Sequence, residues 1–283
     1  MLRIRKMRRG DISFAVRLSD QEDWGIPVRD FERILRLDPR GSFIAMENAR
    51  RVGLATTTIY GKQIGWIGNI DVEKSRRGKH IGKALVKHAI GYLEKAGVKR
   101  IALYSFDENI EYYRKLGFVQ GQRFARFRRE RQASRDVVHE SDDRKTMTVR
   151  DLLATDRKAF GADRARLLVD MFNSGAAWYL GYSVKSKRSY LLVKDYEDMS
   201  ELGPWISFGV RGTELESMLR LVLNKTENKP IEISCPLTNR NVLAMLSKSH
   251  FQTIKKGHMM CYRMLSNIGQ PNAIVAFGFL DKG

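Results

Sequence analysis

The stretch SRRGKHIGKALVKHAIGYL, Ser75 to Leu93, places the tightest limit on what this chain can fold into. It sets Arg76, Arg77 and Lys79 around two glycines and then becomes amphipathic. Ile81, Leu85, Ala89 and Leu93 recur on one face, Lys83, Lys87 and Lys95 lie elsewhere, and Gly97 sits where a C-terminal cap belongs. The spacing predicts a helix over 80–96 opened by a tight basic turn. A turn that ends a strand and starts a helix aims unpaired backbone N–H groups at one spot, and the helix dipole adds roughly half a positive charge there. Phosphate is the natural guest. Gly78 and Gly82 let the backbone approach it closely, and the three basic side chains add full charges. Two common phosphate loops are excluded. A Walker loop needs four residues between its glycines and then Lys-Ser/Thr, whereas three residues separate Gly78 from Gly82 and Ala84 follows Lys83; a dinucleotide fingerprint needs a third glycine.

Around this turn, apolar runs alternate with helical periods. Strands are expected near 2–7, 42–48, 52–60, 65–73, 99–105 and 118–130, with helices near 11–20, 28–37, 80–96 and 108–116. This is a mixed α/β pattern. The polar segment QASRDVVHESDDRK, residues 132–145, reads as a linker, which divides the chain into 1–133 and 134–283. After it, a helix-like VRDLLATDRKAFGADRARLLVDMF precedes strand-like AWYLGYSV, SYLLVKDY and PWISFGV, then helix, strand and helix. That order repeats the first half. At its end, NIEYYRKLGF faces VLAMLSKSHF, so Phe251 matches Phe118 and Leu246 falls opposite Tyr113. Only RGTE follows Val210 where ten residues follow Val72, so the second copy lacks the basic turn.

The net charge of +19 is unevenly spread: residues 1–133 hold 29 Lys and Arg against 15 Asp and Glu, the remainder 22 against 17. The basic field therefore belongs to the first half, where it favours anionic partners. Two cysteines, Cys235 and Cys261, are too few for a disulfide framework or a zinc cluster and read as core thiols of a reducing compartment. No apolar run is long enough to span a bilayer and no secretory leader is evident, so the expected location is the cytoplasm.

The succession IGNIDVEKS, RRGKHIGKAL, helix, RIALYSF and YYRKLGF resembles the acetyl-CoA-binding core of the GNAT N-acetyltransferases. The family's Arg/Gln-x-x-Gly-x-Gly/Ala signature falls on Arg77, Gly78, Lys79, His80, Ile81 and Gly82, with His80 where the signature has its first glycine. A positive φ would strain His80; a helical conformation would let its ring meet a phosphate. The resemblance implies that acetyl-CoA lies in a splay beside the strand carrying Ile70 and Val72, its pyrophosphate on the turn with Lys83 nearby. Backbone N–H groups near Val72 would polarise the thioester carbonyl. Tyr113 matches the family's acid, Asp71 or Glu73 would be the base, and Asn109 is of the type that contacts the cofactor, though close to Tyr113 for the family spacing. The second half resembles, more loosely, the degenerate domain of tandem members. The implied reaction is direct attack by a primary amine in a ternary complex, the amine being a small molecule such as a polyamine, a peptide N-terminus or a lysine and entering over LSDQEDWGIP, where Asp20, Glu22 and Asp23 suit a cation.

Two other readings stand beside the enzyme. QRFARFRRERQASR interleaves Arg123, Arg126, Arg128, Arg129 and Arg131 with Phe124 and Phe127, a pattern for phosphates and stacked bases, as in an RNA- or ribosome-associated binding protein. A sensor that binds the cofactor without moving an acetyl group would differ only at Tyr113 and the base.

Overall fold

The computed structural model describes residues 1–131, 147–226, 229–264 and 268–283; the expected linker, 132–145, lies outside the described residues. The first half runs β1 (Leu2–Lys6), α1 (Ile12–Asp20), α2 (Val28–Leu37), β2 (Ser42–Glu47), β3 (Arg50–Tyr60), β4 (Ile64–Val72), α3 (Ile81–Lys95), β5 (Arg100–Phe106), α4 (Ile110–Arg114) and β6 (Phe118–Arg129). These elements fall close to their expected positions. The exception is α4, shorter than the periodicity suggests because a 3-10 turn (Asp107–Asn109) takes its start and Gly117, at φ 91°, ends it.

The second half runs α5 (Val149–Phe160), α6 (Ala165–Asn173), β7 (Ala177–Val184), β8 (Lys187–Asp195), β9 (Ser200–Phe208), α7 (Thr213–Lys225), β10 (Ile231–Pro236), α8 (Arg240–Lys248), β11 (Gln252–Tyr262) and β12 (Ile274–Ala276). The long helix-like stretch is two helices, because Gly161 takes a left-handed cap at φ 78°. β9 begins at Ser200, ahead of the expected Pro204.

The described strands form one mixed sheet in the order β1-β2-β3-β4-β5-β11-β6-β10-β9-β8-β7, with β12 against β9. Two pairs are parallel, β4 with β5 and β9 with β10, and each is short. The halves exchange their last strands: β11 pairs with β5, β6 pairs with β10, and β6 and β11 pair with each other. Repeat order in the sequence thus becomes a near two-fold arrangement about the β6–β11 pair.

Among the described residues, four apolar clusters fill the faces. Ile67, Val72, Ile81, Leu85, Ala89 and Leu93 join α3 to the sheet. Leu18, Phe31, Ile34 and Leu54 join α1 and α2 to the opposite face. Trp66 and Ala102 from the first half pack with Leu152, Phe160 and Leu168 from α5 and α6, so the halves share a core. The fourth lies beneath α7 and α8 and contains Leu246 and Phe251. Both cysteines are buried.

Candidate functional site

β4 and β5 are paired at Ile64–Trp66 with Arg100–Ala102 and part beyond that point, leaving a cleft beside the remainder of β4. Within this free stretch the strand carries a bulge. Leu54 faces Asp71 and Thr56 faces Gly68, so Asn69 and Ile70 together oppose Ala55, and Asn69 takes φ 48°. Its amide donates to Thr56 Oγ1 at 3.0 Å, holding the kink.

The basic turn closes one end of the cleft. After a 3-10 turn (Lys74–Arg76), Gly78 at φ 78° and His80 at φ 60°, ψ 12° carry the chain into α3. His80 is therefore left-handed rather than helical, a conformation costing about 1 kcal/mol. Among the described residues no side chain caps α3, so the N–H groups of its first turn remain for an outside acceptor. A Cβ added at Gly78 would meet nothing within 4 Å. Ile81 contributes backbone alone, its side chain being buried, while Lys79 and Lys83 are exposed.

The three cations expected to lie free over the turn do not all do so. Arg76 pairs with Glu47 at 3.0 Å. Arg77 folds back: Nε donates to the Val72 carbonyl at 3.1 Å, and Nη2 to Asp71 Oδ1 at 3.1 Å and Glu22 Oε1 at 2.5 Å. Local carboxylates capture these arginines because they lie one strand or one loop away, which the linear sequence hides.

Asp71 is 5 % exposed. Its Oδ1 accepts from the Val72 N–H at 2.7 Å and from Arg77, while Oδ2 is buried without a hydrogen-bond partner among the described residues. Burial pushes its pKa up to about 6 against the Val72 N–H bond and Arg77, with Glu22 adding to the rise. The Val72 N–H, expected to face the thioester, is thus engaged by Asp71. Glu73 stands at the strand end, half-buried, its N–H bonded to the Val52 carbonyl at 3.0 Å.

Tyr113 is 9 % exposed, edge-on to Phe118 and Tyr112, and burial raises its hydroxyl well above the usual value. Tyr112, which the sequence reading passed over, is 37 % exposed. Its hydroxyl lies 2.9 Å from where a Cβ on Gly82 would be, so its ring leans over the first turn of α3, and burial pushes its pKa up to about 12. Adjacent tyrosines carry no periodicity that separates them, and the shortness of α4 decides which one overhangs the turn. Asn109 is exposed at the start of α4 and makes no side-chain cap.

The loop after α1 lies against this end of β4: Lys74 N–H donates to Gln21 Oε1 at 3.4 Å, and Glu22 is held by Arg77. Of the acidic trio, Asp20 and Asp23 are exposed, and Trp24 is partly so. Further along β4, residues 277–283 cover Gly68 and Trp66. The Asp281 carbonyl oxygen would stand 2.0 Å from a Cβ on Gly68, Asn69 Nδ2 donates to Asp281 Oδ2 at 3.2 Å, and Tyr60 Oη donates to the Lys282 carbonyl at 2.6 Å.

In the second half β9 and β10 part in the same way after Ser200–Leu202 and Ile231–Ile233. There the chain fills its own cleft. β12 pairs with β9 through Ile274 and Ala276, and the Phe277 N–H donates to the Ser234 carbonyl at 2.8 Å. The arginine run also differs from its expected use: Phe124 and Phe127 are buried rather than open to bases, Arg126 and Arg128 pair with Glu232, and Arg123 pairs with Asp107.

Residues 12–118 match the model of the GNAT acetyltransferase family, and residues 152–272 match a second model, of a GNAT acetyltransferase domain. The chain belongs to the GNAT acetyltransferase family, in tandem form. Its members are acyltransferases that take their acyl group from acetyl-CoA. Among curated relatives, an uncharacterised N-acetyltransferase of Methanocaldococcus jannaschii is 32 % identical over 99 residues, 32 % of this chain and 44 % of that protein. The chain thus spans less than half of that relative's length. A putative acetyltransferase from Pyrococcus horikoshii superposes over 100 % of this chain and 96 % of its own, with a TM-score of 0.77 at 21 % identity. A tandem GNAT protein from the clavulanic acid biosynthesis pathway covers 94 % of this chain and 100 % of its own, with a TM-score of 0.68 at 13 % identity. At such identities these structures speak for the fold. No helix among the described residues is long and apolar enough to cross a membrane.

Proposed function

We propose that the first half is an N-acetyltransferase that moves an acetyl group from acetyl-CoA to a primary amine by direct attack within a ternary complex. The observation that carries this is a cleft beside β4 with two chemically distinct borders. One is the start of α3, uncapped by any described side chain, and the other is a buried carboxylate whose Oδ2 has no hydrogen-bond partner among the described residues. The residues fit the donor: the open space over Gly78 and the free N–H groups of α3 suit a diphosphate, with Lys79 and Lys83 beside it. Acetyl-CoA, when bound, supplies an acyl carbon with a thiol leaving group.

An amine with a pKa near 10 must lose a proton before its lone pair can attack. Asp71 is suited to take it at Oδ2, being poised near neutrality by burial, whereas Glu73 is only half-buried at the strand end. As the C–N bond forms and the C–S bond breaks, Tyr113 would supply a proton to the departing sulfur and recover the second proton from the nitrogen as it becomes the amide; burial keeps its phenol protonated until then. Arg77 positions Asp71 and ties it to the loop of Glu22. The second half, its own cleft filled by β12, acts as scaffold and borders the acceptor side. A thermal-shift titration with acetyl-CoA, followed by acetylation assays on amines and peptides, tests the reading. Stabilisation with a stoichiometry of one cofactor per chain, and amine-dependent release of free thiol, are expected. No stabilisation, or two cofactors bound per chain, would refute it.

A further inference from the structure

We infer that Asp281, supplied by the second half, receives the ammonium group of the acceptor beside Asp71, and that Lys282 holds that place until the acceptor arrives. This rests on the acetyltransferase reading and adds to it a carboxylate, supplied from outside the first half, that favours charged amines over neutral ones.

Position is the first support. Cross-strand partners share a face of a sheet. Trp66 opposes Thr58, Gly68 opposes Thr56 and Asp71 opposes Leu54, and Leu54 packs under α1 and α2. Asp71 and the ground covered by residues 277–283 therefore lie on the same side of β4, away from α3. Asn69 links them, its amide reaching both Thr56 and Asp281 from within the bulge. The segment lies this close because Gly68 has no side chain.

Anchorage is the second. Before Asp281 the chain is fixed by β12 in the second cleft, by the Phe277 N–H and by Lys194 Nζ on the Gly278 carbonyl at 2.5 Å. After it, Tyr60 holds the Lys282 carbonyl and Arg164 Nη1 holds that of Gly283 at 2.5 Å. The carboxylate is thus presented from a fixed backbone, which favours recognition by limiting what must be ordered on binding.

The chemistry is the third. Burial would push the Asp281 carboxyl up, but Lys282, Lys194 and the Asn69 amide outweigh it and hold it below the usual range, so it is an anion. Lys282 Nζ sits 2.5 Å from Asp281 Oδ2 with its side chain almost wholly buried. This side of β4 already holds one ammonium against one carboxylate. Asp71 Oδ2, buried and without a hydrogen-bond partner among the described residues, offers a second acceptor on the same side, and an ammonium carries three N–H donors.

Removing the carboxylate and removing its internal occupant should act in opposite directions, which a merely structural role would not produce. Spermidine serves as the cationic probe, titrated by calorimetry into the full chain saturated with CoA, and turnover is followed by thiol release with acetyl-CoA. Asp281→Asn should weaken spermidine binding at least fivefold and raise its KM alike, with the KM for acetyl-CoA unchanged. Lys282→Gln, which frees Asp281, should tighten spermidine binding about threefold or more. Aniline, neutral at pH 7, should respond to neither substitution. Should Asp281→Asn misfold, Lys282→Gln still decides. Spermidine affinity unchanged in both variants, lowered in both, or undetectable in the parent chain overturns the inference. Opposite shifts in binding without acetyl transfer to any amine would uphold Asp281 as an ammonium site and overturn the acetyltransferase reading.

Discussion

Replacing Asp71 by Asn tests the poised base without depending on any knowledge of the acceptor. A carboxyl raised from 3.8 to about 6 ionises with more difficulty in the folded chain than in the unfolded one, by about 3 kcal/mol once the pH is well above 6. The folded state binds this proton more tightly, so the Asp71 contribution is most favourable below pH 4 and is lost as the pH rises through about 6. Asn keeps an oxygen for the Val72 N–H and carries no charge, so the variant escapes that loss. Its stability relative to the parent should rise by about 2–3 kcal/mol between pH 4 and pH 8. In a chain of this size that corresponds to a relative gain of about 5–10 °C in melting temperature. Paired thermal melts across that range measure it. In parallel, kcat/KM of the parent should climb with pH through about 6, a limb absent from the residual activity of the variant. A stability difference that stays flat from pH 4 to pH 8 would show that the buried carboxylate is not perturbed as argued.

His80→Gly relieves a left-handed histidine and should stabilise the chain by about 0.5–1 kcal/mol while lowering the Kd for acetyl-CoA, read by thermal melts and calorimetry. Gly68→Ala drives a Cβ into the backbone of Asp281 and should destabilise by about 1–3 kcal/mol; the acceptor KM should rise more than that for acetyl-CoA. Tyr113→Phe should lower kcat at least tenfold with the acetyl-CoA KM unchanged, whereas Tyr112→Ala, at the mouth of the turn, should change chiefly the acetyl-CoA KM. Steady-state kinetics on the two variants separates these roles.

What the sequence made legible is what local physics determines. The basic turn, the face of α3 and the alternation of β3 and β4 follow from spacing within a few residues. Asp71 was found by its place on the strand entering the turn, but strand alternation treats Glu73 as its equal; burial separates them, and burial depends on Leu54, Glu22 and Arg77 arriving from elsewhere. The engagement of Arg76 by Glu47 and of Arg77 by Glu22 is likewise tertiary. The largest omission is Asp281, more than two hundred residues from Asn69 in the chain, in a closing stretch, AIVAFGFLDKG, that carries the family resemblance of the second half and no sign of its place beside β4. Phe124 and Phe127 looked available for stacking because the sequence does not say that β6 lies in the middle of the sheet, with β10 and β11 on either side.

That central position has a consequence for ancestry and asymmetry. Two identical copies of such a unit, each lending its final strand to the other, would form a closed homodimer with two equivalent sites. Joining them into one polypeptide removes the requirement that both copies change together. One copy can then surrender its catalytic groove to its own backbone and use the freed polypeptide to furnish the neighbouring centre. By the same geometry neither unit completes its sheet in isolation, so residues 1–131 and 147–283 produced together as separate chains should co-purify.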